Sequence, residues 1–225
     1  MLPKKNFVFS TDSYDKYSVK AQERVRRGSS QQLIIDGPAT RKPPDTKTFL
    51  KNDQNKEQLC DQLLRVWSSE KASSRIESCS QPILIVKGRA HKLTVVNGKP
   101  TVTEIHELYS NQEETDARII MYLHYAAKQG FKSAVVRSPD SDIFFIMLYY
   151  AHDMNLTVYH DMGFGKHRKV IEVSAVACSL GKEYCDDLLG FYVFTGEDCT
   201  SAFKGKGKVG PLKKLQKNPR FLKTF

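Results

Sequence analysis

The chain has 225 residues, 40% hydrophobic and 27% charged, an ordinary balance for a soluble globular protein with a real core. No apolar run approaches the roughly 20 residues of a membrane span, and no sustained apolar stretch follows Met1–Lys5, which argues against a secretory signal. The formal net charge of +10 favours polyanionic partners, although a solvated basic surface explains it as well. The five cysteines are scattered and lack the C-x-x-C spacing of zinc ligands, so they read as reduced thiols of an intracellular protein, with the nucleus favoured over the cytoplasm.

In chain order, Asn6–Ser10 is a short β-prone run ending at Thr11-Asp12. Tyr17–Arg27 reads as an Arg-rich helix stopped by Gly28, and Asp12 and Ser13 suit helix capping or a turn. Leu33-Ile34-Ile35 is a brief apolar run before a turn at Asp36-Gly37-Pro38, and Pro43-Pro44 marks an extended loop. Leu59, Leu63, Leu64 and Trp67 recur at helical spacing, which predicts a helix from Asn55 to Trp67 with Asn55 as its cap and Trp67 as a core anchor. Residues 68–81 are Ser-rich and polar, the composition of a mobile connector.

Pro82–Lys87 is a candidate buried strand. Asn97-Gly98 between Lys92–Val96 and Pro100–Thr103 predicts a β-hairpin. Ser110-Asn111-Gln112-Glu113 matches a capping box, predicting a helix to about Gln129 with Ile119, Leu123, Ala126 and Ala127 inward and Gly130 as its stop. Ala134–Val136 reads as a strand ended by Ser138-Pro139, and Ile143–Ala151 as a buried helix. Strands follow at Leu156–His160 and Val170–Val173, with Gly163–Arg168 a basic turn between them, then helices at Ser174–Leu180 and Lys182–Phe194. The order is that of an α/β sandwich with a mainly parallel sheet.

Three acidic clusters stand at element edges in this second half: Glu113-Glu114-Thr115-Asp116, Asp140-Ser141-Asp142, and Asp198 within Thr195–Asp198. Glu114 and Asp116 occupy the first turn of their helix, where the macrodipole favours negative charge. In extended backbone Asp140 and Asp142 would point to one side. Capping explains each pair alone. Carboxylates at the carboxyl ends of parallel strands also suit ligand binding, and oxygen-only donors suit Mg²⁺ or Mn²⁺ rather than zinc. Two such ions about 4 Å apart would activate water and stabilise a leaving phosphodiester oxygen. Phe203–Gly210 is glycine- and lysine-rich but fails as a P-loop, because Pro211-Leu212 stands where Lys and Ser/Thr are needed. Its backbone amides, with Lys204, Lys206 and Lys208, suit nucleic-acid phosphates, or the stretch is a flexible basic loop.

Together, Glu114-x-Asp116, Ser138-Pro139-Asp140-Ser141-Asp142 and Thr195-Gly196-Glu197-Asp198 … Gly205-Lys206-Gly207 resemble the metal-binding motifs of the PIN-like, flap-endonuclease (XPG-type) nucleases. Phe7–Asp12 with Lys20 and Glu23–Arg27 resembles that family's second-strand Asp and basic helix. The stretches Glu113–Ile119 and Phe194–Phe203 look closest to a poorly characterised, mobile-element-associated animal group. The resemblance implies a three-layer α/β sandwich, with 1–225 as one PIN-like domain: strand and basic helix in 6–27, an insert-like 28–110, and the metal-site core and glycine-rich turn in 111–225. It implies Asp12, Glu114, Asp116, Asp140, Asp142 and Asp198 as metal-binding catalytic carboxylates gathered in one cleft. Lys20, Arg24, Arg26, Arg27, Lys204, Gly205, Lys206, Gly207 and Lys208 would bind nucleic acid, DNA before RNA. The family's first strand and its Asp have no counterpart before Asn6, so the chain reads as a member shortened at both ends. The expected activity is a metal-dependent nuclease weakened or lost with that Asp, the alternative being an inactive nucleic-acid-binding module.

Overall fold

Local chemistry sets each turn of the first sheet. In the computed structural model, which describes residues 6–14, 17–18, 21, 26, 28, 30–37, 39–79, 81–196, 205, 207–217 and 220, β1 (Val8–Ser10), β2 (Ile83–Val86), β3 (Arg89–Val96) and β4 (Lys99–Glu104) hydrogen-bond in that order. β1 runs parallel to β2, whereas β2–β3 and β3–β4 are antiparallel. Asn97-Gly98 forms the expected two-residue turn with φ of 51° and 76°. Lys87-Gly88 forms a second such turn, φ 51° and 74°, so β3 starts at Arg89, ahead of the expected Lys92. Lysine is no turn signal. Gly88 is required twice, since a Cβ there would lie 2.4 Å from the Ser110 carbonyl oxygen.

The chain divides into two compact units, Met1–Arg118 and Ile119–Phe225, each described by itself. In the first, α1 (Thr46–Phe49) is capped by Asp45, and α2 (Asp53–Trp67) by Asn52, whose Oδ1 accepts from Gln54 N at 2.9 Å. The expected cap, Asn55, is instead buried inside the helix. Its Nδ2 donates to Phe49 O and Gln31 O, and its Oδ1 accepts from Leu33 N at 2.8 Å. Asn52, Gln58 and Gln62 continue this row of amides, donating to Ser30 O, Leu33 O and Ile35 O. The apolar run Leu33–Ile35 is thus extended backbone satisfied by helix side chains rather than by a strand partner.

The expected mobile connector at 68–81 is largely ordered helix. A 3-10 turn, Glu70–Ala72, leads into α3 (Ser73–Ser78), whose Ile76 is 1% exposed. Ile76 packs with Ala72, Leu84, Val86 and Leu93, and Leu64 and Trp67 lie against the same cluster. Two apolar residues, Ala72 and Ile76, fasten the serine-rich stretch to the sheet.

In the second unit, β5 (Ser133–Arg137) runs parallel to β6 (Thr157–Met162), and β6 is antiparallel to β7 (Lys169–Glu172). The helix α4 (Thr115–Lys128) starts in the first unit, and its Ile119 and Leu123 join the second unit's core with Ile143, Met147, Leu148, Val158 and Val173. α5 (Asp142–Tyr150), α6 (Val173–Leu180), α7 (Lys182–Phe194) and α8 (Val209–Lys217) complete the unit. Val173, expected to close a strand, opens α6 instead.

The α/β class holds. Neither sheet taken by itself is mainly parallel, because two-residue turns and the Gly163–Arg168 turn force antiparallel neighbours. The four described cysteines are free thiols, and no described helix is long and apolar enough to cross a membrane. Ile76→Ala should cost about 2–5 kcal/mol in urea denaturation; a wild-type midpoint would return residues 68–81 to the role of loose connector.

Candidate functional site

Asp12 lies just past the carboxyl end of β1, and its Oδ1 accepts from Thr115 N at 2.9 Å. It therefore meets the first turn of the helix bearing Asp116, with Glu114 immediately before it. The capping box does not form: α4 begins at Thr115, and Ser110 Oγ accepts from Gln112 N instead. An acceptor 103 residues away has replaced the local one. Ser13 N donates to Glu113 O at 2.8 Å, and Ser10 Oγ lies 3.3 Å from Thr115 Oγ1. Buried Arg118, 1% exposed, closes the joint by donating to Thr11 O at 2.6 Å and Glu114 O at 3.2 Å. Its charge is met by carbonyl dipoles, with Nη1 buried and lacking a hydrogen-bond partner.

The second acidic group follows β5. Ser138 Oγ accepts from Asp140 N at 3.1 Å, and Asp140 Oδ1 accepts from Asp142 N at 3.0 Å. The backbone there is not extended as expected. Ser141 is already helical (φ −77°, ψ −24°), because short polar side chains bonding two residues ahead turn the chain into α5. Tyr192 on α7 donates its hydroxyl to Asp142 Oδ1 and lies 3.2 Å from Ser141 Oγ. Burial, then the Asp142 bond, push the Tyr192 phenol up to about 12. His160 Nε2 lies 3.2 Å from Ser138 O. A carbonyl only accepts, so Nε2 carries the proton. Burial lowers the affinity of His160 for a second one.

These donors fit a hard cation only in part. Asp140 is exposed and Asp142 half-buried, an all-oxygen pair that suits Mg²⁺ with most of its waters retained. Among the described residues no group of three or more His, Cys, Asp or Glu is arranged to hold a metal ion.

β6 ends at the same edge as β5, and there the structure adds a carboxylate that sequence reading passed over. Asp161 is buried and receives Arg168 Nε at 2.9 Å and Nη2 at 2.8 Å, with Arg137 Nη1 at 3.2 Å. Arg137 Nη2 also donates to Gly163 O at 2.6 Å. Gly163, at φ +73°, has no room for a Cβ, which would lie 2.4 Å from His167 O. An acid inside a strand, followed seven residues later by Arg168, was the available signal.

Asp198, Lys20, Arg24, Arg27, Lys204 and Lys206 lie outside the described residues. Arg26, Gly205 and Gly207 are exposed. Lys208 has another task. Its Nζ donates to Tyr192 O at 2.8 Å, to Thr195 Oγ1 at 3.3 Å and to Gly196 O, closing the carboxyl end of α7, and sits 3.8 Å from the Tyr192 ring centroid. These bonds give Lys208 a place in the fold.

Asp161→Asn should lower the melting temperature at neutral pH. The Arg168 hydrogen bonds, helped by the charge of Arg137, hold the Asp161 carboxyl below its usual range. Its contribution is therefore full above about 3.9, the unfolded value, and is lost as pH falls through the lowered native value. The wild-type advantage in thermal melts should shrink below about pH 4; an advantage constant to about pH 2 would refute the ion pair's role.

The chain matches no protein-family model, and no curated protein and no solved structure matches it.

Proposed function

We propose that the chain is a nucleic-acid-binding protein of the PIN-like, flap-endonuclease kind, acting on phosphodiesters with Mg²⁺ or Mn²⁺. One observation carries the reading. In each unit an aspartate group follows the carboxyl end of a strand with a parallel neighbour: Asp12 after β1 beside β2, and Asp140 with Asp142 after β5 beside β6. Ligand-binding residues of open α/β sheets stand there. The same two parallel pairs are the support for the finer expectation of a mainly parallel, three-layer fold.

In this reading the candidate holders of a divalent ion are Asp140 with Asp142 in the second unit and Asp12 with Glu114 and Asp116 in the first, with Asp198 in the same expected set; when bound, the ion would supply charge neutralisation at a scissile phosphate. The protein's own part is positioning. Ser138 and Asp140 shape the turn, His160 anchors its first carbonyl, and Tyr192 restrains one oxygen of Asp142. The +10 charge supplies attraction for the polyanion.

A second reading, an inactive binding module, is favoured by a specific observation. Asp12, Asp140 and Asp142 each give an oxygen to a backbone N–H or a hydroxyl, which is sufficient reason for their presence.

Cleavage of flap and branched DNA and of RNA, with Mg²⁺ and with Mn²⁺, separates the two. Metal-dependent cleavage reduced to background by Asp142→Ala supports the nuclease, and binding without cleavage supports the module. Cleavage indifferent to Asp142→Ala refutes this site, and no binding to any nucleic acid refutes both readings. Lys204→Ala and Lys206→Ala should each lower the salt slope of binding by about 1, whereas Lys208→Ala should leave the slope unchanged and lower the melting temperature.

A further inference from the structure

Beside the acidic turn, the β6–β7 connection presents an aromatic ring where a buried one would be expected. Phe164 is 67% exposed. It is held in place from several directions. Gly163 before it takes a conformation only glycine tolerates, and Phe164 O accepts from His167 N at 3.0 Å in the 3-10 turn Gly165–His167. The Arg137 guanidinium carbon lies 4.8 Å from the ring centroid, itself fastened to Asp161 and to Gly163 O. Such a ring pays little entropy to receive a planar partner.

Its surroundings are cationic. Between Asp161 and Lys169 the one carboxylate is Asp161, against Lys166, Arg168 and Lys169, while Arg137 ends β5 and Asp140 and Asp142 follow it at the same edge; Lys166, His167, Arg168 and Lys169 are exposed. Arg137 and Arg168 are engaged with Asp161, which leaves Lys166 and Lys169 as the cations beside the ring that the clamp does not use. An immobilised aromatic flanked by lysines is the arrangement by which proteins hold unpaired bases: the ring stacks on the base and the ammonium groups meet the backbone. Duplex DNA keeps its base faces covered and offers such a ring nothing.

We propose that Phe164 is a stacking platform for an unpaired nucleobase, and that Lys166 and Lys169 hold the adjoining phosphates of a single-stranded nucleic acid. The proposal rests on the nucleic-acid reading above and specifies the form of polymer. Because β5 and β6 are parallel, the platform follows the same sheet edge as Asp140 and Asp142, so a strand held there passes beside the acidic turn.

Fluorescence anisotropy of the full chain with labelled oligothymidylate, oligouridylate and a DNA duplex of equal length tests it. Phe164→Ala should weaken binding to a single strand by about tenfold, leave duplex binding and the salt slope unchanged, and melt with wild type. Oligouridylate against oligothymidylate distinguishes RNA from DNA as the source of the base, and a loss on either supports the platform. Lys166→Ala should lower the salt slope for the single strand by about 1. Phe164→Trp supplies an independent readout, since an indole at this position should restore single-strand affinity and be quenched by a stacked base. Wild-type affinity in Phe164→Ala, an equal loss on duplex and single strand, or an unquenched indole at saturation would overturn the platform while leaving the nucleic-acid reading intact. A wild-type chain that binds none of the three polymers refutes that reading, and the platform with it.

Discussion

The Asp161 carboxylate, withdrawn from water, is the constraint on which the edge formed by the carboxyl ends of β5 and β6 depends. A buried charge persists only when matched and hydrogen-bonded, and here two guanidiniums match it. Arg137 ends β5, Asp161 stands near the end of β6, and Arg168 closes the turn beyond. One ionic cluster therefore ties the ends of two parallel strands to the loop that follows. Ser138 N donates to Asp161 O at 3.2 Å, so the acidic turn starts from the same residue. Phe164 and the pair Asp140–Asp142 owe their placement to this clamp.

In the first unit the corresponding constraint is neutral in partner and charged in donor. Arg118 is buried among carbonyls, binding Thr11 O and Glu114 O, while Asp12 caps the helix that Arg118 belongs to. The strand end and the helix start satisfy each other. The result is a joint in which a buried guanidinium, held by backbone oxygens, sits beside the helix turn that Asp12 caps.

Capping and ligation make the same demand on an aspartate, an oxygen directed outward from a turn, and differ in what fills the remaining lone pairs. Asp140 and Asp142 satisfy the first demand within the chain itself. Tyr192 and Lys208 matter for the same reason: the lysine closes α7 against the tyrosine ring, and the tyrosine hydroxyl fixes the orientation of Asp142.

Features written in neighbouring residues were legible without coordinates. Asn97-Gly98 dictated its hairpin through positive φ, Gly130 its helix stop, and the apolar run of β2 its burial, because each depends on backbone preference or periodicity over a few residues. The acidic positions could be located at the edges of elements for the same reason. Their partners could not. Asp12 replaces a local capping box across 103 residues, the amides of α2 stand in for a strand beside Leu33–Ile35, and Tyr192 reaches Asp142 from 50 residues on. Ala72 and Ile76 pack a serine-rich segment onto the sheet, and Arg168 turns an acid inside a strand into a clamp. Each is a choice between hydrogen-bond or packing partners that only the folded chain brings within reach, so sequence alone determined the elements with strong local signals, and tertiary contact decided the weakly marked helix at 70–78 and which polar groups the ends of elements would meet.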